Sequence, residues 1–407
     1  MNLEQADELL TTIKIEIDVD SETILDQFTP MEVYLGESLK TPGLQTSIVV
    51  HNAIHYLPVK NLDELKGKTV TIELERKSLA KFGLQDKMII QQTIYRLEKR
   101  ALHNQSVEVF ILHACDPSLL DDAATLVSRQ FGCITPSEVV EQVLRSCAGV
   151  KQLDIEPSSP ARPYDAENIH PFQICAQQAN VALADGNDPS FIHYMTYENL
   201  GTHKFKSLKK LVEQQPLHPG RPYEYTEVGE TSNSGYAWPF TLISYEFPCD
   251  FDLLSDILNG VDASGKNINT AFTVNILKNM FNMFGDKTIG CGIGSGNPKL
   301  LHTNNGSADQ QNTCPDNSKL YLNKRQARIA LLDPDKIAFR CTVPWNPGLN
   351  VGKVIKVRLA NRDEPTTQNY GSGDYLITAM KHNVKYGGYA TTQLDCVSTT
   401  AGMRGEV

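Results

Sequence analysis

The chain of 407 residues has 38 basic and 48 acidic side chains, a formal net charge of −10, 41% hydrophobic residues and 21% charged residues. That length exceeds one ordinary core and predicts two to four compact units, in a globular chain that is neither disordered nor membrane-spanning. No window approaches the roughly 18 consecutive apolar residues of a membrane helix, and an acidic chain without a dense Lys/Arg run argues against a surface built to grip nucleic acid.

The opening MNLEQADELL is acidic where a secretion signal is basic and then apolar, so secretion is not expected. IKIEIDV at 13–19 places Ile13, Ile15, Ile17 and Val19 in strict alternation, the signature of a half-buried strand. TSIVVHNAI, VTIEL, the run from Met88 to Arg100 and VEVFIL follow, separated by turn residues. Residues 1–115 therefore read as a first small antiparallel barrel or sandwich.

From Asp116 the period changes. DPSLLDDAATLVSRQFG offers Asp116 as N-cap, Pro117 at the first helical position and Gly132 as the stop. TPSEVVEQVLRSCAG repeats the device, with Thr135 as cap and Glu138 at the reciprocal capping-box position. EPSSPARPYD reads as a connector, and PFQICAQQANVALA as a third helix opened by Pro171. FIHYMTYENLGTHKFKSLKKLV reads as a strand pair turning at Asn199 to Thr202, then a helix, and QQPLHPGRPYEY as a second, proline-rich connector. Residues 116–222 thus form an α-rich connecting domain with a short strand pair.

Beyond 223, FTLISYEFP is strand-like, and DLLSDILNG and FTVNILKNMFNMFG are helix-like. The stretch 285–320, rich in Gly, Asn and Ser, reads as a long surface loop. ARIALL and the alternating Ile337, Phe339, Cys341 and Val343 return to strand, and WNPGLN turns into GKVIKVRL. A second β domain is expected at 223–255 and 325–407, with a helical and loop-rich insertion at 256–324.

Candidates for chemistry are few. Nine cysteines, an odd number with no C-x-x-C pair, fit reduced and largely buried thiols. GCGIGSGNPK lacks the Lys-Ser/Thr of a phosphate loop, because Asn297-Pro298 follows Gly296. His51 and His55 would stand about 13 Å apart along a strand, too far to share one metal. In HACD, with His113, Cys115 and Asp116 adjacent, Asp116 is already explained as a cap. DGNDPS at 185–190 is a turn rather than a calcium loop. No G-x-S-x-G and no dinucleotide fingerprint occurs. No catalytic, cofactor-binding or metal site is expected.

The C-terminal stretch 374–397, DYLITAMKHNVKYGGYATTQLDCV, is a hairpin turning at Gly387-Gly388, where paired glycines suit a two-residue turn. Laid over TIYRLEKRALHNQSVEVFILHAC at 93–115 with an offset of 282, it puts Leu376 on Ile94, Lys381 on Lys99 and Leu394 on Leu112. Upstream, GKVIKVRL at 352–359 matches GKTVTIEL at 67–74 with an offset of 285. One β unit is therefore expected twice.

This order, with DPSLLDDAATLVSRQFGCITPSEVVEQVL, HPFQICAQQAN and VPWNPGLNVGKVIKVRL followed by GDYLITAMKHNV, resembles the central baseplate hub protein of contractile-tailed bacteriophages. The resemblance implies an α+β, mainly β chain with two tube-like antiparallel β-barrel domains and α-rich inserts. It also implies a homotrimer whose six barrels join a tail tube or tube-initiator protein to a central spike, among other baseplate proteins of the virion. Such a hub would be assembled in the host cytoplasm. Neither membrane insertion nor specific nucleic-acid binding is implied. A cell-wall glycan hydrolase with a β-rich accessory domain, or a carbohydrate-binding module, are the competing expectations.

Overall fold

The computed structural model describes residues 10–19, 22–25, 29–53, 62–104, 107–225, 238–248, 272–273, 301–302, 339–359 and 371–398. The sequence expectations at His55, the glycine-rich GCGIGSGNPK, DLLSDILNG and ARIALL lie outside these residues; of the helix-like FTVNILKNMFNMFG only Phe272-Thr273 are described, and of the expected loop 285–320 only Leu301-His302, and both pairs are strand.

The first unit is built from β1 (Thr12–Val19), β2 (Glu22–Leu25), β3 (Thr29–Ser38), β4 (Thr41–Ala53), β5 (Thr69–Glu75), β6 (Lys87–Asn104) and β7 (Val107–Cys115). Alternation decides which face is buried. In β5, Val70, Ile72 and Leu74 point inward and their neighbours are half-exposed, as a period of two requires. They meet Ile13, Ile15 and Ile17 of β1 and Ile48, Phe110 and Leu112 of β4 and β7 in one core. Each such side chain contributes roughly 1.5–3 kcal/mol on burial.

The connecting segment opens with α1 (Pro117–Ala124), capped by the Asp116 carboxylate on the Ser118 N–H. The helix stops at Ala124, not at Gly132. Thr125 is extended, and the β-branched and aromatic run that follows becomes β8 (Val127–Ile134). Then come α2 (Pro136–Cys147), with the Thr135–Glu138 capping box formed, β9 (Leu153–Ile155), β10 (Arg162–Ile169), α3 (Pro171–Val181), β11 (Phe191–Thr196), β12 (Thr202–Ser207) and α4 (Leu208–Val212). The expected connector EPSSPARPYD is in part strand, since β10 pairs with β8. The segment therefore carries two small sheets, β8-β10 and β11-β12-β9. The packed α2 and α3, with Phe191 and Phe205, fill the space between them.

The second unit has β13 (Tyr223–Tyr225), β14 (Thr241–Leu242), β15 (Ser244–Glu246), β18 (Phe339–Pro344), β19 (Val354–Arg358), β20 (Gly373–Lys385) and β21 (Thr391–Ser398). β16 (Phe272–Thr273) and β17 (Leu301–His302) form a separate two-residue parallel pair. The strand neighbours run β15-β18-β21-β20-β19-β13 in this unit and β3-β4-β7-β6-β5-β1 in the first. The two units thus share one strand order, and they differ at its end, where β1 is antiparallel to β5 but β13 is parallel to β19.

The duplication extends to irregularities. β6 bulges between Ile94 and Arg96 opposite β7, and β20 bulges between Ile377 and Ala379 opposite β21. The amide exchange at each strand start also matches: Gly67 and Ile94 in one unit, Gly352 and Ile377 in the other. This corrects the sequence alignment by one position. Ile377, not Leu376, is the counterpart of Ile94, while Leu394 remains that of Leu112. A one-residue slip in a strand exchanges its faces, and apolar residues at both 376 and 377 concealed it.

The pairing joins the two units. One 14-stranded sheet runs through both units, because β20 pairs with β19 through Gly373 to Leu376 and with β3 through Ala379 to Lys385. The bulge lies between these two stretches, where an extra residue bends a strand. Closure of the first unit into a complete barrel is not found among the described residues.

Candidate functional site

Across β21, β20, β3, β4, β7 and β6 the shared sheet turns one face to its cores and leaves the other mainly polar, with Val49 and Ile111 among the side chains on it. Thr391, Asn383, Tyr34, Ser47, His113 and Arg96 stand opposite one another in one cross-strand row. Gln393, Lys381, Gly36 and Gln45 form the next, and Arg340, Asp395, Ala379 and Ser38 a third. Between the rows lies an open depression of about 780 Å³ lined by β3, β4, β6, β7 and β20.

The charges of this face are held in pairs. Glu98 lies 3.0 Å from His113 Nε2 and 2.5 Å from an Arg96 guanidinium nitrogen. The hydrogen bond from His113 and the fields of Arg96 and Lys99 keep its carboxyl below the usual range. Ser47 Oγ meets the other ring nitrogen of His113 at 2.9 Å. The Tyr34 hydroxyl and, at 3.1 Å, Lys385 likewise hold Glu32 low. Lys381 lies 5.0 Å from the centre of the Tyr34 ring, a cation–π contact. Arg340 Nε donates to Asp395 at 2.6 Å, and a second arm reaches Glu246.

Beneath the face, three parts of the chain meet. Glu37 of β3 is buried, and its two oxygens accept from Tyr197 N–H at 2.7 Å and Val351 N–H at 2.9 Å. Burial pushes its pKa up to about 8, against those two hydrogen bonds and with the help of nearby Glu198. Glu198 is itself desolvated, yet the Lys204 and Lys353 ammoniums keep its carboxyl low. Lys353 lies at 3.3 Å, and Asn350 Nδ2 donates to it at 3.4 Å. The first strand unit, the connecting segment and the turn into the GK strand of the second unit are therefore tied by backbone and charge together.

Sequence-named groups are not brought into one reactive site. His113 and Cys115 lie on the same side of β7, Cys115 buried opposite Gln45, and Asp116 caps α1. DGNDPS is a turn closed by the Ala184–Asp188 bridge. The six described cysteines are free thiols, four of them buried. Among the described residues no group of three or more His, Cys, Asp or Glu is placed to hold a metal.

Sequence reading missed one polar chain, because its members are far apart in sequence. Asp116 accepts from both the N–H and the hydroxyl of Ser118. Ser118 Oγ lies 2.9 Å from His203 Nε2, and His203 Nδ1 lies 3.1 Å from His193 Nε2. Burial pushes His203 down to about 4 and His193 down as well, so both rings are neutral. Neutral rings satisfy each contact when protons point from His193 to His203 to Ser118 to Asp116, whose carboxyl burial pushes up against its two hydrogen bonds from Ser118. The hydroxyl proton then faces Asp116, and His203 donates rather than accepts. A nucleophile needs the reverse, so this chain anchors α1 to β12.

No protein-family model matches the chain and no curated protein matches it. Among solved structures, the 43 kDa tail protein of prophage MuSo2 from Shewanella oneidensis is similar over 96% of this chain and 99% of its own. Its TM-score is 0.58 at 10% identity. The tail protein from Neisseria meningitidis MC58 is similar over 96% of this chain and 98% of its own, with a TM-score of 0.56 at 10% identity. The chain shares the fold of these tail proteins, which bears out the mainly β, α+β architecture expected from the resemblance.

Proposed function

We propose that this chain is a structural hub of a phage tail baseplate. Three copies form a ring in which six like-built strand units surround a channel. The observation that carries this reading is the single sheet that passes from one unit to the other and presents a mainly polar face across six strands, with Val49 and Ile111 among its apolar members. Such a face suits a channel wall: apolar residues support it from behind, while polar residues meet water and whatever passes through. Two similar units per chain let a threefold assembly present six similar surfaces, matching a spike of low symmetry on one side to a tail tube of higher symmetry on the other. The fold shared with two tail proteins over nearly their full lengths supports the same reading.

On this reading residues 1–115, together with 223–255 and 325–407, build the wall, while 116–222 and 256–324 are its inserts. The hub works in the virion tail of a contractile-type phage after assembly in the host cytoplasm. It contacts tube, spike and other baseplate proteins and carries no enzymatic activity of its own. Light scattering on the purified chain tests the ring. The expected mass is near three times 45.2 kDa, and a monomer at all concentrations up to the millimolar range would overturn it.

A further inference from the structure

The geometry points to a specific task for Glu32, Glu98 and Asp395: they mask the cations of the polar sheet face so that a polyanion slides past it instead of binding. This rests on the channel-wall reading above and deepens it. The face is not simply acidic. It carries Arg96, Lys99, Arg340, Lys381 and Lys385, enough positive charge on one face to hold a phosphate backbone, since nucleic-acid affinity grows with each phosphate that a cation neutralises.

What prevents this is placement. Glu98 sits at the centre of Arg96, His113 and Lys99, Glu32 takes Lys385, and Asp395 takes Arg340 through Nε with its second oxygen 3.4 Å from another guanidinium nitrogen. Lys381 is laid over the Tyr34 ring. The pairs lie within a strand or between neighbours, from β18 and β21 at one end to β6 and β7 at the other, so that masking covers the width of the face. A guanidinium whose donors are taken by a carboxylate has fewer left for phosphate. Net charge alone would act only at long range and would be screened within roughly 8 Å at physiological salt. Paired charges act at contact.

The test compares two triple variants of the full chain that make the same change in net charge. One is Glu32→Gln, Glu98→Gln and Asp395→Asn. The other is Glu141→Gln, Asp154→Asn and Glu213→Gln, which frees Arg145, Lys206 and Lys209 from carboxylates on the connecting segment instead. The probe is a labelled 30-base-pair duplex followed by fluorescence anisotropy at 50 and 200 mM salt.

Wild type is expected to show no binding at tens of micromolar. The face variant should bind at least tenfold more tightly than the control variant and lose that binding at the higher salt. Equal binding by both variants, or by neither, would overturn the masking role. Binding by wild type itself would overturn it too. A solution mass that excludes the ring would remove the channel reading while leaving the difference between the two variants to stand or fall by itself.

Discussion

Glu37 gives the sharpest quantitative expectation. Its carboxyl is buried where the three parts of the chain meet, and its pKa is raised from 4.5 to about 8, with desolvation the dominant cause. In the folded chain it is protonated over a pH range in which the unfolded chain has already released that proton. The native state then binds more protons, so stability falls as pH rises from about 4.5 and the whole contribution is gone above about 8. The interval between 4.5 and about 8, at about 1.36 kcal/mol per pH unit, comes to roughly 5 kcal/mol. Glu37→Gln keeps an oxygen for the Tyr197 or Val351 N–H and has no charge to bury. Its NH2 group faces the N–H it cannot accept, so it should lie about 1–3 kcal/mol below wild type near pH 5, then gain on wild type increasingly toward pH 9. Denaturant midpoints at pH 5, 6, 7, 8 and 9 read this directly. Parallel curves for the two proteins would refute the reasoning, because they would mean that the Glu37 carboxylate ionises in the folded state at little cost.

Other expectations follow from single residues. Gly67 and Gly352 occupy equivalent turns with φ of +77° and +79°, but a Cβ at 67 meets nothing within 4 Å while one at 352 would stand 2.7 Å from the Tyr194 hydroxyl. Gly67→Ala should cost about 1–2 kcal/mol for left-handed backbone and Gly352→Ala about 1–3 kcal/mol more for the clash, read as a larger fall in melting temperature. Thr135→Ala removes the capping-box acceptor and should cost about 1 kcal/mol, with faster amide exchange confined to the first turn of α2. Trp345, fully buried against the first unit's core although its own chain belongs to the second, should cost about 3–5 kcal/mol when changed to Ala and should lower the unfolding transitions of both units in calorimetry. His203 and His382, held at about 4 and about 3 by burial, must charge on unfolding. Their contribution is complete above pH 6.5 and falls away toward pH 3, so near-UV circular dichroism should show tertiary structure lost on acidification, more steeply in wild type than in His382→Gln.

Much of the architecture could be read locally, because it is local in origin. Strict alternation in IKIEIDV and VTIEL, Asp116 before Pro117, and Thr135 three residues ahead of Glu138 each encode a strand or a helix start within a few positions. The stop of α1 could not be read that way. Val127 and Phe131 are compatible with a helix face, and only their burial against α2 and β10 makes the segment a strand. The repeat was visible as spacing, but its register was not: Leu376 and Ile377 are both apolar, and the bulge that settles the alignment is a feature of pairing. The pairing of β20 with β3, and hence the polar face, joins residues more than 340 positions apart. Nothing short-range in the sequence announces it. The carboxylates of that face are likewise unremarkable until the sheet sets Glu98 beside His113 and Glu32 beside Lys385.

Cryo-electron microscopy of the purified assembly, averaged end-on, tests the central claim most directly. The account predicts a threefold ring with six similar lobes whose opening is lined by the row Thr391, Asn383, Tyr34, Ser47, His113 and Arg96. A particle without a central opening, or a ring in which that row lies on the outer surface or at a subunit contact, would contradict it.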